Sequence, residues 1–583
     1  MALALALGPP SAPAQVLYGS LVGTVTDPSG AVVPRAAITI TNSATGLTRE
    51  AVVDEGGRFA LLNIPAGTYV LKAGGPGFRP YSRPGVAISI NTVTRADVGL
   101  ELGGVTESVM VAATAVQLQT DKSDVRSEIT STAVVNLPLP GYRNYQSLIN
   151  LVPGATPAGF QNAVVDTPAR ALTTNINGTA RNNNNTLVDG AVNTFIWLPH
   201  HTLYVQPVES IETVNITTGS FDAEQGMAGG AAITVATKSG TNDVHGTGFW
   251  FHANQHLYSG AFTKSQTYRK PVEAFNQGGG TIGGPIRKDK LFYFFSFEKT
   301  WERNGSFGNY SVAPAAWRDG DFTFPLDYAV VYDPATMVNN DPRTRQPFAG
   351  NMIPRNRINP VFDKIQRLAP LPNQRAPVDP FGLAGVYGAG GTLKLDRNNY
   401  DVKVNWVATK NLTLWGKLSR MDSPVKGQYV FGDLGGPSIG TEGFGDTNVN
   451  IPTVGYTYTF SPTFLMDGVF GYSRFDQTVG IPGQDKNVGL DVWGIPGTNG
   501  GRQYASDPRY GGLPQLTGFG FDYFGVGATW APCFRNDRSY TYQTNFSKIS
   551  GSHEFRWGFE PRRHELNHWQ PEIGHPRGTI TIA

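Results

Sequence analysis

The chain has 583 residues, a formal net charge of +2, 16% charged residues, 70 Gly and 41 Pro. That composition excludes a coiled coil and a disordered polyelectrolyte, and the near-neutral balance gives no electrostatic basis for nucleic acid as a partner. The single cysteine, Cys533, excludes an internal disulfide framework and a Cys-based zinc site. No run reaches the roughly 18 apolar residues of a membrane-spanning helix, a criterion blind to β-barrels, whose strands alternate.

Residues 1–15 carry an apolar run, Met1 to Leu7, then Gly8-Pro9-Pro10 and a small-residue Ala12-Pro13-Ala14 site. They look like a signal peptide that lacks its basic start, truncated at the N-terminus, and predict export. Residues 16–102 show short β-branched alternations broken by Asp27-Pro28-Ser29-Gly30, Gly56-Gly57 and Pro65-Ala66-Gly67. Strands with such punctuation and no helical period predict a small β-sandwich. Residues 103–114 read as a linker.

Residues 115–242 are mixed α/β. Asn177-Gly178, the Asn182 to Asn185 run and Asp189-Gly190 are turn signals, and Ser210–Thr217 and Ala231–Thr237 alternate as strands. From residue 243 onward the alternation is long and aromatic. Tyr400, Val402, Val404 and Trp406 share one face and Asp401, Lys403 and Asn405 the other. The stretch from Leu412 to Ser419 keeps the rule except at Trp415. Connections are tight at 287–290, 408–411, 461–463 and 549–552, and long at about 300–392, 421–450 and 476–538. If the first strand, about 244–253, runs outward, every tight connection falls on one side, which is how outer-membrane barrels are built. Aromatic outward faces suit lipid and its interfaces. About ten strands are expected, the last near Gly578, and the mid-pattern end at Ala583 reads as a fragment.

The N-terminal zone resembles the carboxypeptidase regulatory-like domain, a transthyretin-like sandwich, through Gly23 to Gly30, Pro34, Asn42, Gly57-x-Phe59 and Pro65-x-Gly67-x-Tyr69. Some members of that superfamily bind carbohydrate; nothing in this sequence marks a sugar site. Over nearly its whole length the chain is similar to the TonB-dependent outer-membrane receptors, most of all the Oar-like group. The matching blocks are Leu137 to Asn144 with Leu151-Val152-Pro153-Gly154; Asn177-Gly178, Asn182 to Asn184 and Leu187-Val188-Asp189-Gly190; Pro207 with Ile211-Glu212-Thr213-Val214; Phe221, Ala223, Glu224 and Gly226; Gly229-Gly230 and Val235 to Gly246, with Lys238-Ser239-Gly240 inside it; and Gly283 to Phe292.

The resemblance implies a mainly β chain: a sandwich, a plug (115–242) and the first part of an antiparallel transmembrane β-barrel (243–583) in the outer membrane. It implies active import of a substrate of carbohydrate, peptide or siderophore class, powered by the TonB energy-coupling complex. Glu107, Ser108, Val109, Met110, Val111, Ala112 and Ala113 are similar to the family's TonB box, a strand lent to a partner's sheet edge; an ordinary linker strand is the competing reading. No catalytic residue is assigned, and no cofactor or metal is expected. A surface adhesion or secretion-linked barrel is the alternative.

His564-Glu565-Leu566-Asn567-His568 matches the zinc-protease pattern, which needs a helix to bring both imidazoles together. The neighbouring strand pattern and Pro561 argue for an extended chain, where the two would lie about 13 Å apart. Gly278-x-Gly280-x-x-Gly283 fits the dinucleotide pattern but leads into Pro285 and a hairpin, so these glycines are expected to let the strand approach the plug. His200-His201 beside Trp197 reads as a polar plug loop, and Cys533 as a loop residue.

Overall fold

The computed structural model describes residues 18–582 apart from 91, 104–108, 111–122, 140–142, 222–224, 227, 258, 260–269, 324–329, 375–383, 437–442, 519–520, 527–529, 551–552 and 572–575. The leader at 1–15 and Glu107, Ser108, Val111, Ala112 and Ala113 of the coupling segment lie outside the described residues. Among the described residues, no helix is long and apolar enough to cross a membrane.

The N-terminal zone is a sandwich of two sheets. Gly19–Thr26 pairs with Arg58–Ile64, Val93–Arg95 and Val98–Gly99; Ala37–Asn42 lies between Thr48–Val52 and Gly67–Gly74, with Tyr81–Ile88 beyond. Alternation decides which side chains meet. Leu21, Val25, Ile38, Ile40, Phe59 and Leu71 close one core. The turns use the predicted chemistry: the Asp27 carboxylate accepts from the Ser29 and Ala31 amides, and Gly30 has φ +83°. Val109–Met110 lies parallel to Tyr81–Ser82 on the edge of the second sheet.

The plug is a five-stranded sheet in the order Val125–Thr130, Ile211–Gly219, Ala232–Thr237, Asn185–Val188, Ala191–Val192. A short helix, Ser131–Asn136, starts where the Thr130 hydroxyl accepts from the Ala133 amide. Its core includes Tyr145, Leu148, Phe195, Tyr204 and Val214, and continues into Met421, Val449, Ile451 and Phe475 of the surrounding strands.

Among the described residues, nine antiparallel strands follow in chain order, His245–Asn254, Glu273–Arg287, Leu291–Tyr310, Tyr387–Val407, Leu412–Lys426, Phe444–Ser461, Phe464–Gly480, Cys533–Ser550 and His553–Phe559, and the short Arg562–Glu565 and His568–Trp569 carry the last pairing on along Cys533–Ser550. Each of the nine pairs with the next, and the sheet is not closed. All tight turns fall on one side. The burial is inverted relative to the sandwich: Trp250, Val402, Trp406, Phe470 and Trp557 are exposed, whereas Gln277, Glu298, Glu302, Asp401, Lys403 and Gln477 are buried. Lipid-facing apolar residues alternating with mostly polar inward-facing ones are the pattern of a membrane barrel.

Three expectations are corrected. The strands run well past the segments where alternation is visible: the third continues to Tyr310 and the fourth starts at Tyr387. Glycines at 388, 390 and 391 hide the period there while the backbone ladder continues. The tenth barrel strand is absent among the described residues. Thr579–Ile582 instead pairs parallel with Gln515–Gly518, in a small sheet with Phe521–Val526 and Gly435–Gly436. Alternating Thr and Ile make a strand but do not choose its partner. Cys533 opens the eighth strand, buried, rather than lying in a loop.

Candidate functional site: the plug–barrel interface

Of the plug residues singled out by sequence, Asp189 and Gly240 meet the barrel wall, whereas Asn177-Gly178 and Gly229-Gly230 turn within the plug. Asn177-Gly178 is a turn with φ +52° and +73°, tied down by the Asn177 side-chain amide donating to Thr218 O at 2.8 Å. Gly229 and Gly230 both donate backbone N–H bonds to Asn183 O. A Cβ at Gly230 would lie 2.4 Å from Thr179 Oγ1. Lys238 donates its backbone N–H to Ser210 O, and Ser239 continues the chain into Gly240, where a Cβ would lie 2.2 Å from Tyr293 O of the barrel wall. Only glycine permits that approach. Glu212 is half-buried: burial pushes its carboxyl up, against the opposing pull of Lys238 and Lys403.

Asp189-Gly190 is the two-residue hairpin between Asn185–Val188 and Ala191–Val192, with φ +46° and +79°. It aims the Asp189 carboxylate at the wall. Lys403 Nζ lies 3.1 Å from Oδ1 and Lys417 Nζ 3.1 Å from Oδ2, while Thr237 donates its amide and hydroxyl to the same carboxylate. Burial works against the charged form, but the two ammonium groups and the Thr237 bonds overcome it. They hold the Asp189 carboxyl well below its usual range.

Four further buried contacts join plug and wall. Arg170 Nη2 meets both oxygens of Glu302, at 2.5 and 2.6 Å. Arg397 Nη1 donates to Pro168 O and Ala169 O at 3.1 and 3.0 Å. The Tyr204 hydroxyl and the Gln206 amide both donate to Asp401 Oδ2 at 2.9 Å. Arg535 pairs with Asp166. A buried charge left without its partner is costly, so these pairs hold the plug in one register.

Sequence reasoning supplied the plug half of this interface and missed the wall half. Lys403 and Asp401 were legible only as an inward polar stripe. Trp415, the one break between Leu412 and Ser419, also points inward: Lys403 Nζ sits 5.4 Å from its ring centroid, and Gly455 makes room, since a Cβ there would lie 2.4 Å from the indole. Of the glycines at 278, 280 and 283, only Gly283 meets the plug, with a Cβ position 3.5 Å from Gly240 Cα; Gly278 lies under the exposed Trp250.

The His564–His568 segment is extended. Its two rings go to different partners, His564 Nδ1 to Ser539 Oγ at 2.9 Å and His568 edge-on to Trp197 at 4.3 Å. His201 is buried in the plug with its ring 4.4 Å from that of His200. Outside the lumen, the long loops pack a core of their own around Ile365, Phe431, Leu434 and Trp493. Trp317, Phe322, Phe362, Phe521 and Phe524 wall a cavity of about 330 Å³ there.

Residues 236–583 match the family model of the outer membrane beta barrel domain, and residues 20–101 that of the carboxypeptidase regulatory-like domain. The TonB-dependent transporter Oar of Myxococcus xanthus is 27% identical over 324 residues, covering 50% of this chain and 28% of that protein. The chain thus spans under a third of the length of this curated relative. Among solved structures, the outer membrane transporter YddB of Escherichia coli matches with a TM-score of 0.44 and 11% identity, over 75% of this chain and 48% of that one. A variant of the ferric enterobactin receptor PfeA of Pseudomonas aeruginosa matches with a TM-score of 0.39 and 14% identity, over 76% and 49%.

Proposed function

This chain belongs to the outer membrane β-barrel domain family, and from that premise we propose that it carries out TonB-dependent import of a substrate across the outer membrane. The observation that carries the reading is the buried plug–wall clasp centred on Asp189, Lys403 and Lys417. A domain held inside a polar lumen by ion pairs is a gate that opens when force breaks them together. A substrate docks on the outer loops, where the cavity walled by Trp317, Phe362 and Phe521 accepts an apolar group. The coupling protein takes residues 107–113 as an added strand and pulls, the plug rearranges, and the polar lumen becomes the path. The domain limits follow: sandwich 16–102, coupling linker 103–114, plug 115–242 and barrel 243–583, with 1–15 directing export. Carbohydrate, peptide and siderophore substrates are all compatible with the polar lumen.

The test is uptake by cells carrying the full-length protein, with labelled oligosaccharides, peptides and ferric siderophores each supplied. Deleting residues 107–113 is expected to abolish uptake of whichever class is carried while the protein still reaches the outer membrane. Unchanged uptake contradicts import by this route and leaves the adhesion or secretion reading.

A further inference from the structure

The sandwich does not hang free below the barrel. It touches the wall at every tight-turn corner. At the first turn, Asn242 donates its backbone N–H to Ala44 O at 2.8 Å, and Gly46 (φ +72°) lies so near Asp289 that a Cβ would stand 2.5 Å from its carboxylate oxygen. Asn242 in turn clasps Asp289 through two hydrogen bonds of 2.7 and 2.8 Å. At the second turn, Arg49 Nη1 donates to Lys410 O at 3.0 Å. Beside the third, Asn63 (φ +47°) enters the lumen and donates to Asp467 Oδ1 at 2.6 Å, while Asn545 donates to the other oxygen at 2.8 Å. Beside the fourth, Arg556 Nη2 donates to Ser20 Oγ at 3.3 Å.

Tyr18 is buried too; burial, and then the Asp467 carboxylate, push its phenol up to about 12. On the plug side, Asn215 donates to Ile90 O at 3.1 Å and Ser89 donates to Glu128 Oε1 at 2.6 Å.

From these contacts, and resting on the import reading above, we propose that the sandwich is a second gate, a removable seal over the tight-turn mouth of the barrel, latched by Asn63 on Asp467. A passive module on a tether needs none of these contacts, least of all the buried bond from Asn63 to Asp467. The character of the interface fits a seal that opens. The sandwich closes its own apolar core without barrel residues, and hydrogen bonds tie it to the mouth. Undocking therefore leaves that core intact and exchanges polar partners for water. The chain order supplies the trigger. The coupling segment lies between sandwich and plug in sequence, and its Val109–Met110 pairs with Tyr81–Ser82 of the sandwich. A pull on it loads both gates. Cargo that passes the plug would still meet the sandwich, so both must move.

The test reads accessibility of the lumen behind the sandwich. Thr453 is buried on the lumen wall. In the full-length protein in lipid nanodiscs, with Cys533→Ser, a Thr453→Cys probe is treated with a membrane-impermeant maleimide. The parent is expected to label slowly. Asn63→Ala combined with Asp467→Asn is expected to speed labelling about tenfold or more, the effect of losing one to two buried hydrogen bonds. Gly46→Trp, which wedges the sandwich off Asp289 without touching the lumen lining, is expected to do the same, so a defect in the barrel itself does not explain the result. The proposal is overturned if both variants label at the parent's rate, or if the parent labels as fast as a Val32→Cys surface control. No cargo is needed. Unchanged labelling with uptake lost on deleting 107–113 removes the second gate and leaves import standing; faster labelling with uptake intact after that deletion does the reverse.

Discussion

In the sandwich strand Ala37–Asn42, Ile38 and Ile40 are fully buried, and Thr39 and Thr41 between them are partly exposed. In the barrel strand Tyr387–Val407, Asp401 and Lys403 are buried, and Val402 and Trp406 face outward. The backbone period is the same and the sign is opposite. A sandwich hides its apolar face because water lies outside. A barrel wall hides its polar face because lipid lies outside and the lumen holds a polar plug. The difference teaches where each region turns its apolar face: inward for the sandwich, outward for much of the wall, whose inner side meets the plug through paired charges and hydrogen bonds beside the shared core at Met421, Val449, Ile451 and Phe475.

Substitutions should divide along that line. The largest effect is expected at the clasp. Asp189→Ala leaves Lys403 and Lys417 buried without their carboxylate, a loss of about 3–5 kcal/mol in plug seating. It should show as early proteolysis of residues 115–242 in the folded protein. Resistance equal to the parent would mean the clasp does not seat the plug.

Next come matched truncations. Leu71→Ala in the sandwich core should cost about 2–5 kcal/mol in its unfolding by urea. Val402→Ala on the lipid face removes no packed core contact and should cost about 1 kcal/mol or less. Equal costs would erase the distinction between the two regions.

The plug also has a pH signature. Burial, and then the adjacent His200, push the His201 imidazole down to about 4. An unfolded histidine titrates near 6.5, so the native state is at full strength above that pH. As pH falls from about 6.5 toward 4, the unfolded chain takes up a proton that the plug excludes, and stability drops by up to about 3 kcal/mol. His201→Gln should flatten that slope in thermal unfolding measured across pH. The smallest effect belongs to the exposed Arg35–Glu55 pair of the sandwich, where Arg35→Ala should change stability by no more than about 0.5 kcal/mol.

The comparison also marks what the sequence could show. Alternation and turn length were readable locally, so the strand class, the shared side of the tight turns and the inward anomaly at Trp415 were all accessible. The Asp189-Gly190 turn was readable because a two-residue hairpin has its own chemistry. Its partners were not. Lys403 and Lys417 lie more than 200 residues away, and an inward lysine says nothing about which carboxylate it meets. The sandwich latch was hidden for the same reason: Asn63 and Asp467 are 404 residues apart. Thr579–Ile582 was misplaced because a period of two names a strand and leaves its neighbour open.

The sign inversion itself can be read residue by residue. With nitroxide spin labels placed singly from 400 to 406 in the full-length protein in liposomes, collision with oxygen, which concentrates in lipid, should peak at 400, 402, 404 and 406 and fall at 401, 403 and 405. A pattern shifted by one residue, or oxygen contact equally low at all seven, would contradict a lipid-facing apolar wall.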